Sequence, residues 1–193
     1  MSIGSECYVT LPKGQIIPTH NADSYPDAKV PAVPGGGHVL IVPISHHTTY
    51  STIPSDLSPP IIEETNRFAD IALFPTMIIA NILPFKIRYK TALKAFYNAH
   101  GAQPVSFEMG RLSAKGGHAH IQIAPVPKSF TSDTIADAFI AEAKRHGAEF
   151  EFEATGDPLT NGDRGYFRVE LPDGRRLVYW MRDGVPFSVQ FGR

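Results

Sequence analysis

At 193 residues and 42% hydrophobic, the chain is long enough to bury one real core, which excludes a disordered tail or a fibre and favours one domain, or one domain with an appended subdomain. A formal net charge of −1 gives no global basic field, so any contact with nucleic acid has to come from a local patch. The single Cys7 forms no internal disulfide and suits a reducing compartment.

The opening MSIGSECYVTLPKG lacks the charged start and apolar stretch of a signal peptide, so export is not expected. Cys7 to Leu11 predicts a short strand. Asn21 to Gly37 is crowded with Pro, Gly and Asp and predicts an exposed loop. HVLIVP, His38 to Pro43, is a continuous apolar run and predicts a central strand. Ser58, Pro59 and Pro60 predict a helix start, because proline is tolerated in the first turn; the helix is expected to continue through Phe68 and Ile71 and to stop near Pro75. The uncharged run Ile71 to Phe85, broken by Pro75 and Pro84, is shorter than the roughly 20 apolar residues of a membrane-spanning helix, so no membrane association is expected.

Tyr89, Ala92, Leu93, Phe96 and Tyr97 recur at helical spacing and predict one buried stripe, with Gly101 ending the helix and Lys90 and Lys94 on the wet side. Val105, Phe107 and Met109 alternate with Ser106 and Glu108, the pattern of a half-buried strand with Glu108 either in solvent or turned toward the strand that carries His118 and His120. A helix is expected from Ser132 to His146, stopped by Gly147. Then Phe150 to Glu153, Tyr166 to Leu171, Arg175 to Met181 and Phe187 to Phe191 alternate, with a Pro-Asp-Gly turn at 172 to 174, which predicts an antiparallel meander. Glu149, Glu151 and Glu153 would make an acidic face, and Trp180 and Phe191 are expected in the core.

The stretch GGHAHIQIAPVP carries the chemistry. Alternation puts His118, His120 and Gln122 on one face and Ala119, Ile121 and Ile123 on the other. Polar groups about 6.6 Å apart along a strand match a ribose-phosphate backbone. Gly116 and Gly117 allow close backbone approach to an anion, and Lys115 and Arg111 add positive charge. A neutral imidazole is able to attack phosphorus if a backbone acceptor fixes its other nitrogen, whereas Gln122 positions without transferring a proton. Spacing alone also fits an ordinary surface strand, or a metal site in which His46 and His47 join His118. Arg88, Lys90, Lys94, Lys115 and Lys128 make either a phosphate-steering patch or a solvated face.

These residues resemble a known superfamily. HAHIQIAPVP is similar to the histidine-triad signature, and GHVLIVPISH is similar to the strand that pairs beside it. YVTLPKG, RYKTALKAFY, VSFEMGR, GYFRVELPDGRRLVYW and PFSVQFGR extend the likeness to the C-terminal modules of the splicing-associated CwfJ-like family. The resemblance implies an α+β fold: a histidine-triad-like antiparallel sheet with flanking helices over residues 1–130, then a second small α+β module with a meander over 131–193, truncated at its end. It implies His120 as nucleophile, His118 as its support, Gln122 in the position that separates nucleotidyl transferases from hydrolases, and Lys115, Gly116, Gly117, Arg111 and His46 as phosphate or RNA contacts. It implies an RNA-binding accessory role in pre-mRNA splicing, spliceosome disassembly or lariat turnover, with spliceosomal or lariat-debranching proteins as partners and a nuclear location, the cytoplasm being a second compartment. A nucleotidyl transferase or phosphoramidase acting through His120, and a protein-interaction module with a vestigial pocket, are the alternatives. Relatives place a Cys-rich segment where zinc would join His46 and His118; with Cys7 alone, no cofactor and no metal are expected. The apolar segment Ala69 to Ile87 interrupts the family pattern and reads as an insert or a gene-model artefact.

Overall fold

The computed structural model describes residues 2–16, 33–66, 89–110, 117–153, 164–182, 187–188 and 191. Among the described residues eight strands make one antiparallel sheet: β1 (Ser2–Ile3), β2 (Cys7–Thr10), β3 (Val39–Pro43), β4 (Ala102–Gly110), β5 (Ile121–Pro127), β6 (Glu151–Phe152), β7 (Tyr166–Glu170) and β8 (Arg176–Trp180), in the order β1-β2-β3-β5-β4-β7-β8-β6. The α-helices among the described residues are α1 (Ser58–Asn66), α2 (Tyr89–Ala99) and α3 (Ser132–Arg145). The fold is thus mixed α+β with an open antiparallel sheet, as the patterning predicts. The sheet runs on past residue 130, because β4 pairs with β5 on one side and with β7 on the other.

Register decides which side chains share a face. Ile121 lies opposite both Ile41 and Glu108, and Ile123 opposite Val39 and Ser106, so these residues occupy a first face. Cys7, Val39, Ile41, Ile121 and Ile123 pack there with Ile61 of α1 and Tyr97 of α2. Gln122 lies opposite Leu40 and Phe107, which defines the second face. On it Val105, Phe107, Phe167, Val169, Leu177 and Tyr179 pack with Ile135, Ala136 and Ala143 of α3. Apolar alternation on both faces is what lets one sheet hold helices on either side.

Local chemistry sets the helix ends. In α3 the Thr131 hydroxyl accepts the Thr134 N–H at 3.1 Å, Asp133 sits in the first turn, and Lys144 and Arg145 sit in the last. In α1 the Thr65 hydroxyl donates to the Ile61 carbonyl at 2.8 Å and lies 3.5 Å from Cys7 Sγ, which seats the helix on β2. The expected continuation of α1 through Phe68 and Ile71 towards Pro75 lies outside the described residues, as do most of the loop Asn21 to Gly37 and the whole segment Ala69 to Ile87.

Three expectations need correction. The α2 stripe is narrower than its periodicity: Tyr97 is buried and Leu93 partly so, but Ala92 is exposed and Phe96 is 40% exposed, resting edge-on against His100. Ser106 and Glu108 are buried, not wet, because β4 is flanked by strands on both sides and the Tyr50–Thr52 3-10 turn lies over the first face, where the Tyr50 N–H donates to Glu108. Phe187 and Phe191 do not continue the meander as a strand; the Phe191 N–H returns to the Ser188 carbonyl at 3.0 Å, and the two rings meet tilted, 4.9 Å apart, in the α3 cluster.

Candidate phosphate site

The two histidines precede β5 on an extended lead-in that is pinned by its backbone: the Ala119 N–H donates to the His47 carbonyl at 2.7 Å. His118 Nε2 meets the Pro43 carbonyl at the end of β3, at 2.9 Å. His120 Nδ1 meets the His118 carbonyl, also at 2.9 Å. A carbonyl only accepts, so each of these nitrogens carries the proton. In neutral His120 the lone pair is therefore on Nε2, the tautomer that nucleophilic attack requires. Gln122, one step further along the same face, has its Oε1 3.1 Å from Nε2 of His38, a fully buried ring that enters β3. Nδ1 of His38 in turn accepts the Ile16 N–H at 3.3 Å.

His46 joins this group, its exposed ring 4.9 Å from that of His118 between centroids and tilted by 49°. Gly117 stands beside the same turn; a Cβ there would meet the Thr48 carbonyl at 3.8 Å. Arg111, Lys115 and Gly116 lie outside the described residues, as does Arg88. Lys128 is spent locally, donating to the Asn98 carbonyl at 3.2 Å. A structural zinc takes four ligands. His46 and His118 supply two imidazoles, while Cys7 is buried against Ile61 and Thr65, and among the described residues no three His, Cys, Asp or Glu side chains converge.

Other singled-out residues fall elsewhere. Glu108 faces away from the histidines, on the first face, where it accepts from the Tyr166 hydroxyl, from the Tyr50 N–H at 3.2 Å and from Arg168 at 2.9 Å. Burial alone would favour loss of the Arg168 proton, but the Glu108 carboxylate, with Tyr166 and Glu153, more than offsets it and holds the guanidinium charged above its ordinary value. Burial likewise pushes the Tyr166 phenol far up, reinforced by Glu108, so it stays a donor. The acidic face is partly neutralised: Glu153 is enclosed between Arg168 and Arg176 at 3.8 and 3.7 Å, and Glu151 accepts the Trp180 indole N–H at 2.7 Å. Phe191 is buried as expected, whereas Trp180 is half-buried beneath Arg164. His38 is the site residue that residue-by-residue reading passed over. Its signal was present, a histidine directly ahead of an apolar strand, but its partner is 84 positions away.

Fold and site together define an α+β sheet protein whose central strand is led in by two backbone-locked imidazoles and carries a buttressed amide near its start. Over its whole length the chain is 32% identical to the CWF19-like protein mug161 of Schizosaccharomyces pombe across 193 residues, and 30% identical to CWF19-like protein 1 of Xenopus laevis across 197. It is also 26% identical across 204 residues to the zinc finger CCCH domain-containing protein 64 of Arabidopsis thaliana. The chain spans 28%, 28% and 26% of these three proteins respectively. No family model matches it. Among the described residues no helix is long and apolar enough to cross a membrane.

Proposed function

We propose that this chain is an RNA-handling module of a nuclear, splicing-associated protein, working in spliceosome disassembly or intron-lariat turnover, and that His118, His120 and Gln122 form a histidine-triad-like pocket for an RNA phosphate. The observation that carries this reading is the 2.9 Å hydrogen bond from His120 Nδ1 to the His118 carbonyl. It commits the other ring nitrogen to whatever enters the pocket. The whole-length likeness to proteins named CWF19-like supports the splicing assignment. Phosphate positioned by a few fixed groups, with Gly117 and His46 beside them, suits an accessory factor that holds a particular RNA junction.

The same hydrogen bond favours a second reading, nucleotidyl transfer. Nε2 of His120 attacks phosphorus, the N–P bond forms as a P–O bond breaks, and the departing oxygen leaves with the electron pair. The Nδ1 proton stays on Nδ1, hydrogen-bonded to the His118 carbonyl, throughout. Gln122 transfers no proton, so the leaving group must depart as a stable anion, as pyrophosphate does.

The test is binding of a single-stranded oligoribonucleotide across a salt series, with intact-mass spectrometry of the same samples after incubation with nucleoside polyphosphates. Salt-dependent binding, weakened severalfold in His120→Ala as for the loss of one polar contact to the RNA, is the expected result. A nucleotide-sized adduct on wild type alone would establish transfer through His120. Absence of any binding would leave the pocket vestigial and the chain a protein-interaction module, and would overturn the proposal.

A further inference from the structure

We infer that His38 is a positioning residue that turns the Gln122 amide so that its nitrogen, and not its oxygen, meets the phosphate. The inference rests on the phosphate reading of the pocket and adds the polarity of its third member. An amide is nearly symmetric in shape, with an oxygen that accepts at one corner and an NH2 that donates at the other. Its sequence position therefore does not say which sign it shows a ligand; the surrounding donors do.

The choice is made by a backbone group. The Ile16 N–H only donates, and it points at His38 Nδ1 at 3.3 Å, so that nitrogen is the acceptor. His38 is then the neutral tautomer protonated on Nε2, because a second proton on Nδ1 would face the Ile16 hydrogen. Nε2–H lies 3.1 Å from Gln122 and requires an acceptor, which is Oε1. The amide nitrogen has no partner among the described residues, so two N–H donors are left for a ligand. Complete burial of His38, and the Phe107 ring 6.4 Å away at 30°, keep the imidazole in plane for this relay. The result sorts ligands by charge: with His120 Nε2 aimed at phosphorus, Gln122 donates to a non-bridging oxygen. The reversed amide would set one acceptor against another.

Long-range proton–nitrogen spectra of the full 193-residue chain read the tautomer directly, and a 5′-phosphorylated oligouridylate is the binding probe. The expected spectrum shows His38 protonated on Nε2 alone, with the Gln122 NH2 resonances moving as the probe is added. His38→Phe, checked for a retained fold by its amide spectrum, is expected to weaken binding about tenfold, and His38→Asn, which keeps both a donor and an acceptor, to recover part of that loss. A His38 protonated on Nδ1 overturns the inference whether or not the variants fold. Equal affinity in folded His38→Phe and wild type overturns it as well. If the wild type does not bind the probe, the phosphate reading falls and the positioning role with it, while the spectra still report which way the amide points.

Discussion

Gly37 shows how much one residue carries at the entrance to the site. It follows the Pro34–Gly36 3-10 turn with φ 71°, a conformation open to glycine, and hands the chain to His38. A Cβ there would lie 2.7 Å from Val33, 2.9 Å from Pro125 and 3.1 Å from Tyr97, and the buried Tyr97 hydroxyl donates to the Gly37 carbonyl. Burial holds that phenol protonated far above its usual range, so the bond survives at any ordinary pH. Gly37→Ala therefore combines backbone strain with overpacking and should cost about 3 kcal/mol in chemical denaturation. Gly35→Ala has a similar φ of 69° but nothing within 4 Å, and should cost only about 1 to 2 kcal/mol. Equal costs at the two positions would remove packing from the explanation.

Among the elements, the β7–β8 hairpin is held by charge as well as by its turn. The Asp173 carboxylate accepts the Arg175 N–H at 3.0 Å and its Nε at 2.7 Å, while a second guanidinium nitrogen reaches Asp133 in the first turn of α3 at 2.6 Å. Partial burial pulls the Asp173 carboxyl up, but these hydrogen bonds and the Arg175 charge outweigh it and hold the group below the usual carboxylate range. A depressed folded value means that the stabilisation is present above the unfolded value of about 4 and is lost as pH falls through the folded one. Asp173→Asn should lower stability by about 0.5 kcal/mol at neutral pH, as expected of an exposed pair, and the gap to wild type should close in acid. Denaturation curves at both pH values would show it; a gap that widens in acid would reverse the assignment.

That hairpin also marks what the sequence could reveal. Pro-Asp-Gly is a turn by local chemistry alone, and His-x-His-x-Gln shares a face by strand geometry alone. The tie from Arg175 to Asp133 spans 42 positions and has no local trace. Likewise, alternation correctly separates Glu108 from Phe107, but only the arrival of β7 and the Tyr50 turn makes the glutamate's face a buried one. The α2 stripe was legible as a helix, yet its burial depended on what the helix met, and of its described side chains Leu93 and Tyr97 joined the core.

At the scale of the molecule, the sheet ends in two-residue strands, β1 and β6, which present little edge for another chain to extend. Its long central edge, β4, is occupied from within by β7, over the register Ser106↔Glu170 to Gly110↔Tyr166. Strands from before and after residue 130 meet along that ladder. Cutting the chain after residue 130 would strip Glu108 of the Tyr166 hydroxyl and the Arg168 guanidinium together, leaving a buried carboxylate with the Tyr50 N–H as its described partner. Breaking a buried ion pair from one side costs about 3 to 5 kcal/mol, against about 5 to 15 for a whole domain. The 1–130 fragment should therefore show poorly dispersed amide resonances and lose affinity for the oligoribonucleotide, although every proposed contact residue lies within it. Glu108→Gln in the fragment, which removes the stranded charge while keeping the side-chain shape, should recover part of the fold. A fragment that unfolds cooperatively and binds as tightly as the full chain would show instead that the first module stands alone and that the shared ladder adds nothing the site needs.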